Sequence, residues 1–305
     1  MYPNKLKTMK ALSVTFWIVY LLVAVFLQFI VGNFPFSFFS FPLNFIFAAI
    51  WLTALWMLYK DYCSISIMRF MLSPAATVGS LAAFTAGCLV IGLFPQLSAA
   101  EAAHKSGILA RLGCYDFMSS WIFVAILFFL LSHLALITYR GAMAKRRHKW
   151  RFILNHAGLW LALFAGFFGS ADARVLRIPV VKGEPNSRAY TMEGKVTYLD
   201  YELELLDFRA DYYENGMPRQ YEAQVRVGND PVVLKVNHPY AYRLGEDLYL
   251  TGYEKKSEGL SYCVLQVVEQ PWKYVQLAGI LLTLAGGILL FLEGPVKKNE
   301  NDNLG

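Results

Sequence analysis

Asn155-His-Ala-Gly-Leu-Trp-Leu-Ala-Leu-Phe-Ala-Gly-Phe-Phe-Gly-Ser-Ala171 runs for 17 residues without a charged side chain, and the next three are Asp172-Ala-Arg174. Upstream lies Arg140-Gly-Ala-Met-Ala-Lys-Arg-Arg-His-Lys-Trp-Arg151, dense in positive charge. A basic run, an apolar stretch near the length of a bilayer-crossing helix and an abrupt change to polar, strand-forming sequence read as a membrane span delivering the chain to a domain on the far side.

Working outward from that span, the apolar residues are bunched. The spans predicted are 11–31, 43–59, 75–94, 117–138, 155–171 and 274–292, with none in 172–273. The chain has 305 residues, 56% hydrophobic and only 16% charged, against about a quarter charged in ordinary soluble domains. A single soluble enzyme domain, a disordered chain and a disulfide scaffold are excluded. Residues 173–271 carry 12 Lys+Arg and 15 Asp+Glu, so the net charge of +6 comes from the membrane portion. That positive charge flanks apolar helices, which speaks for topology and anionic-lipid contact and against nucleic acid.

With six spans both termini lie on one side. The segments on that side (1–10, 60–74, 139–154, 293–305) hold 13 basic residues, and the two short loops opposite (32–42, 95–116) hold 2. The positive-inside rule places the termini in the cytoplasm and 172–273 outside. Met1–Lys10 followed by the 21-residue, mostly apolar stretch 11–31, with no cleavage site before Asn33, reads as an uncleaved first helix. The loop Phe34-Pro-Phe-Ser-Phe-Phe-Ser-Phe-Pro42 reads as an aromatic belt in the interface.

The outer segment reads as antiparallel β. Tyr201–Phe208, Tyr221–Val227, Val232–Val236, Asp247–Tyr253 and Tyr262–Val268 are strand-like. Turns fall at Asn215-Gly216, Gly228-Asn-Asp-Pro231 and Ser257-Glu-Gly259. A small sandwich or a curved sheet satisfies that pattern. The fold class is thus a polytopic α-helical membrane protein of about six spans with one extracytoplasmic all-β domain between spans five and six. Its parts are a two-helix extension (1–74), three core spans (75–171), the β domain (172–273) and a last span with its tail (274–305).

No nucleophile constellation, zinc motif, phosphate loop or acid within a span is present, which disfavours a hydrolase and an ion-coupled transporter. The four cysteines (63, 88, 114, 263) have no metal spacing and read as unpaired thiols, a Cys114–Cys263 disulfide being the lesser alternative. Five histidines remain. His104 and His148 fall in exposed loops; His133 sits within the fourth span, and His156 opens the fifth. On the fifth span Gly158, Ala162 and Gly166 form a stripe that lets another helix approach, as do Gly279, Thr283 and Gly287 on the sixth. His156, Trp160, Leu163 and Phe167 share a different face. A flat cofactor such as haem held by an axial imidazole, lipid, or another helix would each suit it.

Several segments then resemble the ResB (CcsB) family of cytochrome c biogenesis proteins over residues 75–292. They are Gly92-Leu-Phe-Pro-Gln96, Leu112-Gly-Cys-Tyr-Asp-Phe-Met-Ser-Ser-Trp-Ile-Phe123, Asn155-His-Ala-Gly-Leu159, Leu205–Glu222, Val236-Asn-His-Pro-Tyr-Ala-Tyr-Arg243 and Gln270-Pro-Trp-Lys273. The resemblance implies a System II role at the bacterial inner membrane, with the β domain periplasmic. A CcsA-type partner and this chain would move haem b outward as a transient cargo and present it to apocytochrome c. The CXXCH thiols there, kept reduced by a thiol-reducing pathway, add to the haem vinyls. It implies a subunit of a holocytochrome c synthase complex, not catalytic alone, because the seven tryptophans do not cluster into the "WWD" motif of CcsA. It places the transmembrane haem ligand at His156; on that reading Trp160 and Phe167, which share its helical face, are the residues expected against the porphyrin. His133, where the family more often has Asn, and His238, in the Val-Asn-His-Pro turn, are secondary candidates. The rival reading is a membrane-anchored scaffold whose β domain docks a partner complex without binding haem.

Overall fold

A computed structural model describes residues 2–144, 149–215, 218–255 and 261–294. Its long helices are α1 (Tyr2–Val31), α2 (Leu43–Tyr62), α4 (Pro74–Leu93), α7 (Trp121–Met143), α8 (Lys149–Phe167) and α9 (Lys273–Glu293). Short helices α3 (Ser66–Met71), α5 (Ala99–Ala103) and α6 (Ile108–Arg111) lie in the connections. The six long helices are long and apolar enough to cross a membrane, so the chain is a membrane protein.

Local chemistry sets boundaries that differ from those read off the apolar runs. The fourth span begins at Trp121, not 117, because Ser120 caps it, its hydroxyl accepting from the Phe123 N–H at 3.2 Å. Before it, Cys114–Ser119 is a 3-10 turn entered through Gly113 at φ +75°. The fourth span also runs on to Met143, and the fifth starts at Lys149 rather than 155. Lysine and arginine end an apolar run but not a helix. The supposed inner loop 139–154 therefore shrinks to a few residues, and His148 lies outside the described residues.

α7 is the hub. Of its span 72% is inside the bundle, against 11% for α1 and α9. α1, α2, α4 and α8 all pack on it. The Tyr20 hydroxyl of α1 donates to the Ala125 carbonyl at 2.8 Å, and Tyr139 of α7 donates to the Leu52 carbonyl of α2 at 3.0 Å. Trp51 of α2 stacks on Phe128 at 4.6 Å and donates its indole N–H to Ser132 at 3.2 Å. The first two helices are thus packed parts of the bundle. In the Phe34–Pro42 loop, Phe34 meets Trp121, Phe36 meets Phe167 and Phe39 meets Phe168, all within 5.4 Å. Only Phe38 and Phe41 stay well exposed, so the belt expected from composition is largely an inward-packed plug.

α9 meets α8 through glycine. A Cβ on Gly158 would lie 2.6 Å from the Thr283 amide nitrogen, one on Gly279 2.5 Å from that of Ala162, and one on Gly286 2.5 Å from that of Asn155. The sixth-span stripe is Gly279, Thr283 and Gly286; Gly287, expected in it, faces open space. Arg151 of α8 closes the pair, donating to the Gly294 carbonyl at 2.7 Å and pairing with Glu293 at 3.7 Å.

Residues 172–274 form a separate unit. Its strands are β1 (Arg174–Val181), β2 (Asn186–Thr191), β3 (Val196–Tyr212), β4 (Pro218–Val227), β5 (Asp230–Lys235), β6 (Tyr240–Arg243), β7 (Glu246–Lys255) and β8 (Ser261–Glu269). They form one sheet in the order β5-β4-β3-β2-β1-β8-β7-β6, with antiparallel neighbours. Of the two architectures weighed, the curved single sheet is the one present. It curls enough for Tyr201 of β3 to donate to Glu246 of β7 and to pack on Tyr242 of β6 at 4.5 Å. Alternate residues such as Leu176, Ile178, Val180, Leu203, Leu205 and Leu265 fill the concave core.

β1, β2 and β6 were not legible. Pro179 interrupts β1, β2 buries only Ala189, and β6 is four residues long. The turn after β4 is shorter than read: Val227 pairs with Asp230, leaving Gly228-Asn229 as the loop, with Gly228 at φ +60°. The turns at Asn215-Gly216 and Ser257–Gly259 reach outside the described residues. All four cysteines are free. Cys263 is fully buried, and burial pushes its thiol up to about 12, so it behaves as a small apolar residue.

Candidate functional site

His156 lies two turns inside α8, not at its mouth, because the helix starts at Lys149. Its Nδ1 donates to the Phe152 carbonyl at 2.9 Å, and the imidazole stacks on the Phe152 ring at 3.9 Å. A carbonyl only accepts, so this bond places the proton on Nδ1 and leaves the Nε2 lone pair available. Nε2 has no partner among the described residues. A neutral imidazole whose other nitrogen is held by a backbone carbonyl is the usual arrangement of a metal-ligating histidine.

The structure divides the face assigned to His156, Trp160 and Phe167. Trp160 is buried, stacks on Phe164 at 4.9 Å and approaches Trp51 at 6.1 Å. Phe167 is buried against Phe36 and Phe123. Both fill the bundle interior, whereas His156 is only half-buried. The Trp160 indole N–H has no acceptor among the described residues. It shares that condition with the Trp17 and Trp121 indoles, and a buried donor without a partner costs about 1–3 kcal/mol. Phe152 was missed as a positioning residue; its signal is the i, i+4 spacing to His156.

His133 is differently placed. It is 1% exposed, and both ring nitrogens are engaged, Nδ1 with the Met71 carbonyl at 2.6 Å and Nε2 with Thr77 at 2.9 Å. Arg140 donates to the next carbonyl, Leu72, at 2.6 Å. His133 thus ties the α3–α4 connection to α7, and a metal would have to displace Thr77. Among the described residues no group of three His, Cys, Asp or Glu could hold a metal ion. His104 ends α5, exposed.

His238 is exposed in the turn Lys235–His238, its amide donating to the Lys235 carbonyl at 3.1 Å. The turn depends on Asn237, which takes φ +62°, the one positive φ outside glycine among the described residues. Asn237→Ala is expected to lower stability by about 1–2 kcal/mol, the cost of a left-handed alanine, while Asn237→Gly retains it. Denaturant melts of the purified variants check this; equal stability of Ala and Gly would show that the turn does not need the left-handed residue.

Six apolar helices, four of them packed on α7 and the last on α8, an imidazole with an unengaged Nε2 and an antiparallel β unit define a polytopic membrane protein with an appended β domain. The ResB-like family model matches residues 140–285, from the end of α7 through α8 and the β unit into α9. The recognition drawn from sequence therefore holds over that stretch, which contains His156, the Asn237 turn and the Gly158–Gly279 contact of α8 with α9. The Gly92–Gln96 and Leu112–Phe123 segments precede it. The match connects the chain with cytochrome c biogenesis. No curated protein matches the chain.

Proposed function

We propose that the chain is the ResB-type half of a haem delivery and ligation machine in the bacterial inner membrane. A CcsA-type partner supplies the other half, and haem b is a cargo held transiently by His156 before transfer to apocytochrome c. The observation that carries this reading is the His156 imidazole, oriented by the Phe152 carbonyl with Nε2 unengaged, inside the family-matched stretch. The chain would contribute the His156 Nε2 as the nitrogen ligand, its tautomer fixed by the Phe152 carbonyl. The chemistry of haem attachment belongs to the complex.

In a strain lacking this gene, c-type cytochromes are expected to lose covalent haem, seen as loss of haem-stained bands, and the wild-type gene restores them. Normal haem staining in the deletion strain would refute the reading. A scaffold that binds no haem also loses the bands, but it tolerates substitution of His156.

The same proposal puts both termini in the cytoplasm and the β unit in the periplasm, on the 13-to-2 basic asymmetry. Protease added to intact spheroplasts is expected to cut within 172–273 and to spare the α7–α8 connection. Cleavage of the β unit only after lysis would invert the topology.

A further inference from the structure

Where α1 ends and α7 begins, two cavities share the wall formed by Phe34 and Pro35. The first, about 970 Å³, has mixed walls that carry two cations, Lys105 and Arg111, against one carboxylate, Asp116, with Gln28 and Asn33 also lining it. The second, about 640 Å³, is a groove bounded by α1, α2 and α7, with Tyr20, Leu27, Val31, Trp121 and Phe128 among its apolar walls.

The first cavity is built, not incidental. Gln28, 3% exposed, donates to Asn33 at 2.8 Å and accepts from the Trp121 amide at 2.8 Å. Asn33 donates to Asp116 at 2.9 Å, and so does Ser119 at 2.9 Å. The Phe34 amide donates to the Ser119 carbonyl at 2.7 Å, which fixes the shared wall. Gly113 belongs to this network, since a Cβ there would lie 2.9 Å from Ser120 and 3.1 Å from Asn33 and Gln28. Asp116 spends its two oxygens on Asn33 and Ser119, and burial pushes its carboxyl above the usual carboxylate range. Arg111 has no ion-pair partner among the described residues, and the Lys105 ammonium sits 5.8 Å from the Tyr115 ring.

The apolar groove follows α1 from Tyr20 to Val31, a rise of about 16 Å. That is roughly the depth of one leaflet of a 30 Å hydrocarbon core. A recess bearing two cations at the end of α1, adjoining an apolar groove with the length of one leaflet, has the charge order and length of a phospholipid. We propose that this place binds an anionic phospholipid, its headgroup on Arg111 and Lys105 and an acyl chain between α1, α2 and α7. The lipid would fill the seam between the first two helices and the hub, where Trp51 and Tyr20 already join them.

The test uses the purified full-length chain, with phosphatidylglycerol and phosphatidylcholine of the same acyl chains added in turn and bound lipid counted by native mass spectrometry. Wild type is expected to retain phosphatidylglycerol selectively. The Arg111→Ala/Lys105→Ala variant loses about fivefold per cation removed. Leu27→Trp, which fills the groove without touching the cations, lowers retention of both lipids. Circular dichroism melts establish that the variants are folded. Equal retention of the two lipids by wild type, or wild-type selectivity in the double variant, overturns the proposal. So does displacement of the lipid by added haem with the same sensitivity to Leu27→Trp, because the occupant is then the porphyrin. Haem content of the complex is a separate readout, so failure here leaves the His156 assignment standing.

Discussion

Replacing His156 by alanine is expected to remove transmembrane haem from the complex and to stop cytochrome c maturation. Nε2 is the only ring nitrogen of His156 without a partner, and Nδ1 is already committed to the Phe152 carbonyl. Loss of an outer-shell partner alone commonly costs 10- to 100-fold in metal affinity, so loss of the ligand itself should lower haem content by roughly tenfold or more. The variant should still fold, since the half-buried imidazole packs only on Phe152 among the aromatic rings. It leaves a gap of imidazole size, and added imidazole should restore part of both the haem content and the maturation. His133→Ala is the contrast. It exposes the Met71 carbonyl and the Thr77 hydroxyl to loss of their partner, so it should destabilise the bundle by about 1–3 kcal/mol while folded protein keeps its haem. Pyridine haemochrome assays on the two copurified variants decide. If His133→Ala alone loses haem per folded molecule, the ligand lies on α7.

The second large effect concerns the α8–α9 contact. Gly279→Val is expected to prevent stable assembly of α9 on α8. The new Cβ would meet the Ala162 amide nitrogen at 2.5 Å and the Gly158 carbonyl at 2.7 Å. Both are backbone atoms, which cannot rotate away as a side chain would. Overpacking typically costs about 1–3 kcal/mol, and a clash with backbone atoms lies at the upper end of that range. Because α8 carries His156, haem content should fall together with folded yield. Gly287→Val, at a position that meets nothing within 4 Å, should be near wild type in both respects. Thermal unfolding of the two proteins in the same detergent checks the contrast. Equal stability would mean that the helices meet on another face.

What the sequence revealed, and what it hid, follows from the range of the interactions involved. Six apolar stretches and a polar, β-rich interval are local properties, and they correspond to six long helices and one sheet. Boundaries depended on chemistry that apolar content does not report. Ser120 caps α7 late, and Lys149-Trp150-Arg151 starts α8 early, which moved His156 from a helix mouth to two turns within. Gly286 and Gly287 are adjacent and equally small; only the rotation of α9 decides that the first faces α8. Three strands were hidden for three reasons: a proline in β1, polarity in β2 and brevity in β6.

The candidate site was legible in part. His156 stood out as an ionisable residue in a span. The helical wheel grouped Trp160 and Phe167 with it, but tertiary packing turns both rings into the bundle, toward Trp51 and Phe36. His133 looked equivalent by residue type and differs by its two partners, Met71 and Thr77, which are 62 and 56 residues away in sequence. Contacts at that separation leave no trace in periodicity.

The most direct test of the central claim is the visible absorption spectrum of the full-length chain purified together with its CcsA-type partner. The account predicts a Soret band whose intensity falls in His156→Ala and returns in part with imidazole. A copurified pair with no Soret band, or one whose band is unchanged in His156→Ala, would contradict it.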